Sequence, residues 1–184
     1  MPSLSTGRVI LLNGTSSSGK TSIATALVEI LPGPWFNLGI DVLHRARTPG
    51  HRSGEVFERT ARGYHRVLAA MATTGNDVIA DQVIGGPWRL DDCLEALAGV
   101  RVLFVGVRCP LPVVEVRERE RSNRPPGQAA RQIGTVHAHA RYDLEVDTSV
   151  LTPQECATQI RQRLESGPAT AFDDLRERTR ARQR

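Results

Sequence analysis

Lysine is almost missing from this chain. Among 24 lysine and arginine residues Lys20 is the only lysine. The guanine-reading pattern N-K-x-D therefore cannot occur, and the D-x-x-G pattern of GTP-dependent switches fails at Asp81, where the fourth residue is Ile84. Aromatic residues make up only 4% of the chain, so the core must be built from aliphatic side chains. The three cysteines, Cys93, Cys109 and Cys156, are odd in number and far apart. With no C-x-x-C pair they exclude a disulfide framework and a zinc ribbon, and they predict reduced, packed thiols of a cytoplasmic protein. No apolar run is long enough to span a membrane, and the opening MPSLSTGR has no apolar signal core. The net charge of +4 is carried partly by the stretch Arg176 to Arg184. Aromatic interleaving, helix-turn-helix spacing and zinc spacing are all lacking, so nucleic acid is not supported as a partner. No internal repeat occurs.

What remains is a chain of 184 residues, 40% hydrophobic and 24% charged, the profile of one globular domain. Its strongest signal is Val9 to Thr21, VILLNGTSSSGKT. Four apolar residues read as a buried strand, and Asn13-Gly14 opens a tight turn. Gly14-Thr15-Ser16-Ser17-Ser18-Gly19-Lys20-Thr21 then satisfies every fixed position of G-x-x-x-x-G-K-[ST]. Small residues let successive backbone N–H groups turn inward onto phosphate oxygens. Lys20 reaches the outer phosphates, and the Thr21 hydroxyl suits Mg²⁺. The helix that follows, with Ile23, Leu27, Ile30 and Leu31 on one face, points its positive end at the same anion. The nucleotide-holding set is Gly14 to Ser22, with Ser22 closing it. Keeping lysine at position 20 alone fits a site that needs a compact point charge and not a planar fork.

Downstream, strand and helix signals alternate. Pro32-Gly33-Pro34 stops the first helix, and Trp35–Ile40 reads as a strand ending at Asp41. An acid at the C-terminal edge of a parallel sheet is placed either for function or as a helix cap, and position alone leaves both open. His44 to Gly54 is a basic segment, either a solvated loop or part of a flap over an acceptor. Glu55–Thr74 is a helix whose stripe Phe57, Ala61, Tyr64, Leu68 and Met71 predicts core packing. Val78-Ile79-Ala80-Asp81 is a third strand ending in an acid suited to the Mg²⁺ shell. A short helix around Leu90, Leu94 and Leu97 precedes the continuous apolar strand Val100–Val107.

Val113 to about Ser122, VVEVRERERS, reads as a helix with a solvated, charge-paired face. Arg117, Arg119, Arg121, Arg124 and Arg131 cluster around the breaker Asn123–Gly127. Arginines on a helical lid offset charge on a transferred phosphoryl group, and one or two of these five suit that task. Gln128–His139 reads as a further helix. His137 and His139 fall on different faces, which argues against a shared metal and for hydrogen-bonded structural roles. Leu144–Val146 is a short strand, and Thr152 with Glu155 forms a capping box for a helix that buries Ile160 and Leu164. Gly167-Pro168 closes a domain of residues 1–167, and 168–184 reads as a basic tail, frayed or disordered. The alternation predicts an α/β fold: a parallel sheet with helices on both faces.

These segments resemble one family. ILLNGTSSSGKTS, LPGPW followed by LGID, VIAD, VLFVGVRCP, the lid segment Arg117–Arg124, and YDLEVDTS with ECA match, in order, the chloramphenicol phosphotransferase family of phosphate-loop kinases. The match spans most of residues 8–165. The resemblance implies a five-stranded parallel sheet like that of nucleotide and shikimate kinases, with a helical lid. It also implies ATP with Mg²⁺ as donor and a small-molecule hydroxyl as acceptor. Asp41 falls where the family places its general base, Arg121 and Arg124 where it places lid arginines, and Thr21 with Asp81 beside the metal. His137 also falls on a family position. A chloramphenicol-like antibiotic, inactivated by 3-O-phosphorylation, is the acceptor so implied. Kinases of another antibiotic, a nucleoside or a metabolite are the alternative, and a non-catalytic nucleotide-binding module is a more distant one. The pattern departs at Val42, where the family has a small hydroxyl residue, and from Leu43 to about Gly63, on the acceptor side. Oligomeric state is not encoded.

Overall fold

The computed structural model describes residues 5–51, 53–121, 127–139 and 141–183. Five strands, β1 (Arg8–Asn13), β2 (Trp35–Asn37), β3 (Asp77–Gln82), β4 (Arg101–Arg108) and β5 (Leu144–Asp147), form one sheet in the order β2-β3-β1-β4-β5. Every pairing is parallel. The period of two along each strand sends alternate side chains to opposite faces. Val9 and Leu11 of β1 join one core, with Val78, Ala80, Val102 and Phe104. Ile10 and Leu12 join the other, with Ile79, Leu103, Val105 and Val107. This double burial is why β1 and β4 read as continuous apolar runs.

Eight helices are present among the described residues. The second core is closed by α1 (Lys20–Ile30) and α7 (Pro153–Glu165). The first is closed by α3 (Gly54–Thr73), α4 (Pro87–Ala96) and α8 (Ala171–Gln183). The expected capping box is present: Glu155 N–H donates to Thr152 Oγ1 at 3.2 Å and Thr152 N–H to Glu155 Oε2 at 2.8 Å. All three cysteines are buried and free. Burial pushes the Cys93 thiol up to about 12, so it stays protonated and inert. No helix among the described residues is long and apolar enough to cross a membrane.

Four expectations need correction. The stretch after Pro34 is a strand only to Asn37, and Asp41 opens the short helix α2 (Asp41–Ala46). Backbone bonds make this loop regular: Leu38 N–H donates to Ile79 O at 2.8 Å and Ile40 N–H to Asp81 O at 3.0 Å. The helix expected over Gln128–His139 is confined to α6 (Gln128–Gln132), followed by successive turns. In α5 (Leu111–Arg119) the alternating charge is not all solvated. Glu118 is buried and accepts from Gly127 N–H at 3.1 Å and Ala129 N–H at 2.8 Å, satisfying the start of α6. Finally, residues from 168 on are not a frayed tail. In α8, Ala171, Phe172 and Leu175 are buried, while Arg176 donates to Leu94 O at 2.9 Å and Leu97 O at 2.6 Å.

Candidate active site

The strand order puts β1 in the middle, so the loop leaving it emerges between the ends of β3 and β4. Residues 14–19 form that loop, and Lys20 starts α1. Ser17 has φ 59°, a left-handed conformation rare for a residue with a side chain. Backbone strain of this sort gathers where geometry serves a ligand. A Cβ at Gly14 would lie 2.5 Å from Val107 O, so the loop packs against β4 only because position 14 is glycine. The Ser17 and Ser18 hydroxyls are buried without a hydrogen-bond partner among the described residues. The α1 N-terminus has no side-chain cap and no acid in its first turn. Orphaned hydroxyls, a strained loop and an uncapped positive helix end together fit the oxygens of a nucleotide phosphate.

Lys20 is buried, and its Nζ donates to Gly14 O at 3.0 Å and Thr15 O at 2.7 Å. Thr21 Oγ1 donates to Asp81 Oδ2 at 2.8 Å. Lys20, Thr21, Asp41, Asp81, Gln82, Val83 and Arg121 line one cleft, together with Ser17, Gly19 and Ile40. Of the sequence-derived site residues, Lys20, Thr21, Asp41, Asp81 and Arg121 thus line this cleft with Ser17 and Gly19 of the loop, and Ser22 lines a groove beside it; Arg124 lies outside the described residues. Hydroxyl and carboxylate oxygens are the hard donors Mg²⁺ prefers, and Mg²⁺ usually takes its remaining ligands from phosphate and water. Among the described residues no group of three or more His, Cys, Asp or Glu side chains could hold a metal alone. Thr21 and Asp81 thus fit a metal that arrives with a nucleotide.

The loop carrying Asp41 is fixed from below. Tyr64 Oη donates to Leu38 O at 2.6 Å, and burial raises that phenol well above its ordinary range. A Cβ at Gly39 would stand 2.8 Å from Asp81 Oδ1, so glycine lets this loop close over the β3 acid. The periodic stripe of α3 marked Tyr64 as core. Its hydroxyl role was not visible there, because it depends on a loop 26 residues away. Phe57 departs from the same stripe: it is 42% exposed and stacks on His44 at 5.3 Å.

Of the expected lid arginines, Arg117 is structural. It donates to Thr148 Oγ1 at 3.0 Å and Thr148 O at 2.7 Å, and Thr148 Oγ1 in turn donates to Ser18 O at 2.9 Å. Arg121 lines both the cleft and a second groove of about 530 Å³ beside Ser22, Arg117, Ser149 and Val150. That volume suits a nucleoside. Gln132, which no motif flagged, places Oε1 2.7 Å from Ser16 N as acceptor. Asn13 Nδ2 donates to Val136 O at 2.8 Å and Tyr142 Oη at 2.8 Å, while Asn13 Oδ1 accepts from Ile84 N–H at 2.8 Å. His137 Nδ1 lies 2.6 Å from Tyr142 Oη. Burial holds both His137 and His139 down to about 4, so they are neutral spacers in this polar knot.

A phosphate loop on a five-stranded parallel sheet, with facing acids and a helical cover, defines a phosphate-loop kinase. The solved structures agree in fold. The Mycobacterium tuberculosis APS kinase bound to AMPPNP and APS superposes with TM-score 0.71 at 20% identity, over 87% of this chain and 98% of that one. The tunicamycin resistance protein of Deinococcus radiodurans gives TM-score 0.68 at 23% identity, over 86% and 95%. Residues 7–165 match the family described as chloramphenicol phosphotransferase-like protein, and the chain belongs to that family. A relative in Mycobacterium tuberculosis strain H37Rv, named provisionally as an O-phosphotransferase, is 31% identical over 97% of this chain and 92% of its own length. The chain is accordingly a kinase of alcohol groups, with a small-molecule acceptor.

Proposed function

We propose that this enzyme moves the γ-phosphoryl group of Mg²⁺-ATP to a hydroxyl of a small molecule, with a chloramphenicol-like antibiotic as the first acceptor to test. One observation carries the reading: Asp41, Asp81, Thr21 and Lys20 line a single cleft at the mouth of the phosphate loop. The loop amides and Lys20 hold the β- and γ-phosphates. Thr21 and Asp81 would hold Mg²⁺, which when bound would neutralise phosphate charge. Asp41 orients the acceptor hydroxyl and takes its proton as the new P–O bond forms and the bond to the β-phosphate oxygen breaks. Arg121 faces the same cleft and offsets charge on the moving phosphoryl group, as does Arg124 in this proposal. The transition state is loose, so positioning and electrostatics supply most of the catalysis.

A second reading, a kinase of another antibiotic, a nucleoside or a metabolite, is favoured by the acceptor side. The family pattern departs from Leu43 to about Gly63, where His44 and Phe57 stack on each other. The deciding experiment is a mass-spectrometric transfer assay with Mg²⁺-ATP, chloramphenicol and a panel of hydroxylated antibiotics, nucleosides and metabolites. A phosphorylated chloramphenicol product that disappears in Asp41→Ala supports the first reading. Phosphorylation of another compound, with chloramphenicol unchanged, supports the second. ATP binding with no product across the panel would count against both acceptor readings.

A further inference from the structure

On α4 sits an arginine that neither the motif nor the family match uses. Arg89 is 7% exposed, yet no carboxylate lies within ion-pair distance among the described residues. Asp92, the buried acid one turn along its helix, is already shared by His65 at 2.5 Å, Arg66 at 2.9 Å and Arg62 at 3.0 Å. Among the described residues Arg89 has one hydrogen bond, from Nη1 to Val83 O at 2.5 Å. The Nε–Nη2 edge has no acceptor among the described residues. Aromatic rings lie against the guanidinium instead: Phe57 at 4.5 Å and Trp88 at 5.2 Å from its carbon. A buried cation without a counter-charge is costly, and burial lowers the Arg89 affinity for its proton. A ligand that supplied the missing charge would relieve that cost.

The surroundings place that ligand. Val83, which anchors Arg89, lines the cleft that holds Asp41 and Asp81. His44 follows Asp41 by one turn of α2 and stacks on Phe57, whose ring meets Arg89. His44, Phe57, Arg89 and Val83 thus form a chain of contacts that ends at the cleft lining. The N-terminus of α4 adds a second positive potential, for it has no side-chain cap and no acid in its first turn. A guanidinium whose faces meet rings and whose edge is open is shaped for a planar, two-oxygen anion bound in the plane of the fork. From this we infer that the acceptor is a hydroxylated carboxylate, its carboxylate held on the Nε–Nη2 edge of Arg89 between Phe57 and Trp88. The inference rests on the kinase reading of the cleft for the word acceptor and takes its second acceptor reading, since chloramphenicol has no carboxylate; the carboxylate itself rests on Arg89 alone.

The test separates the two. The probe is mandelate, which carries a ring, a hydroxyl and a carboxylate, against neutral mandelamide, each titrated into full-length protein saturated with Mg²⁺-ADP. The readout is the ¹⁵Nε–Hε resonance of Arg89. Mandelate should shift it saturably and mandelamide should not, and Arg89→Gln should weaken mandelate binding about tenfold or more while ATP affinity stays as in the wild type. An equal response to mandelamide, or no saturable shift up to about 50 mM mandelate, overturns the inference. The probe comparison needs no variant, so a misfolded Arg89→Gln cannot rescue it. If mandelate binds but ATP does not, the anion site stands and the kinase reading falls. If ATP binds and mandelate leaves Arg89 untouched, the reverse holds.

Discussion

At the scale of single residues, the proposed mechanism divides labour between groups that would touch phosphate and groups that hold them in place. Asp41 acts as general base in the proposed mechanism and forms no covalent intermediate, so Asp41→Asn should lower kcat by about 10²–10⁴-fold with ATP affinity unchanged. Calorimetric titration beside steady-state rates would check this, and full activity in the variant would remove Asp41 as the base. Tyr64 is a positioning residue: its hydroxyl pins Leu38 O at 2.6 Å, three residues before Asp41. Tyr64→Phe keeps the packed ring and loses the bond. The expected outcome is a lower kcat with the melting temperature changed by only a few degrees. A drop in stability without a change in kcat would make the contact purely structural. Gly39→Ala is harsher, because its Cβ would meet the Asp81 carboxylate at 2.8 Å. It should raise the Mg²⁺ concentration needed for half-maximal activity, read in a metal titration.

Among the elements, legibility followed locality. The phosphate loop was readable because its chemistry is written in eight consecutive residues. The apolar strands β1, β3 and β4 were readable because burial on both faces leaves an unbroken hydrophobic run. The Thr152–Glu155 capping box was visible for the same reason, its partners lying three residues apart. What escaped depends on distant partners. Glu118 looks like one more surface charge until α6 is seen to begin on its carboxylate. The arginine count of α8 outweighs its three buried apolar residues in any composition window, so the helix reads as a tail. Its docking implies that Phe172→Ala costs about 3 kcal/mol, a fall in Tm of about 6–12 °C, which thermal unfolding would measure. An unchanged Tm would mean that α8 adds nothing to the core. Arg89 escaped because a lone arginine in a short helix carries no pattern; its lack of a carboxylate shows only in three dimensions.

For the whole molecule, buried histidines set how stability answers to acid. His137 and His139 titrate near 4 in the folded protein, against an ordinary value of 6.5, chiefly because burial disfavours their charged forms. The unfolded chain therefore binds protons first as pH falls. Stability should be full above about pH 6.5 and decline as pH falls through the window down to about 4. His65, lowered by burial as well, acts in the same sense. Melting curves of the wild type and of His137→Gln with His139→Gln, taken across that window, should show a shallower decline in the double variant. The Gln132 contact described above has a kinetic meaning. Its side-chain oxygen accepts from Ser16 N–H, an amide of the loop proposed to hold the nucleotide phosphates. Were a phosphate oxygen to take that amide, α6 would first have to let go of it, and the cover would act as a turnstile. Observed association rates should then level off as ATP concentration rises, at the rate of that release, and Gln132→Ala should restore a linear dependence in stopped-flow fluorescence.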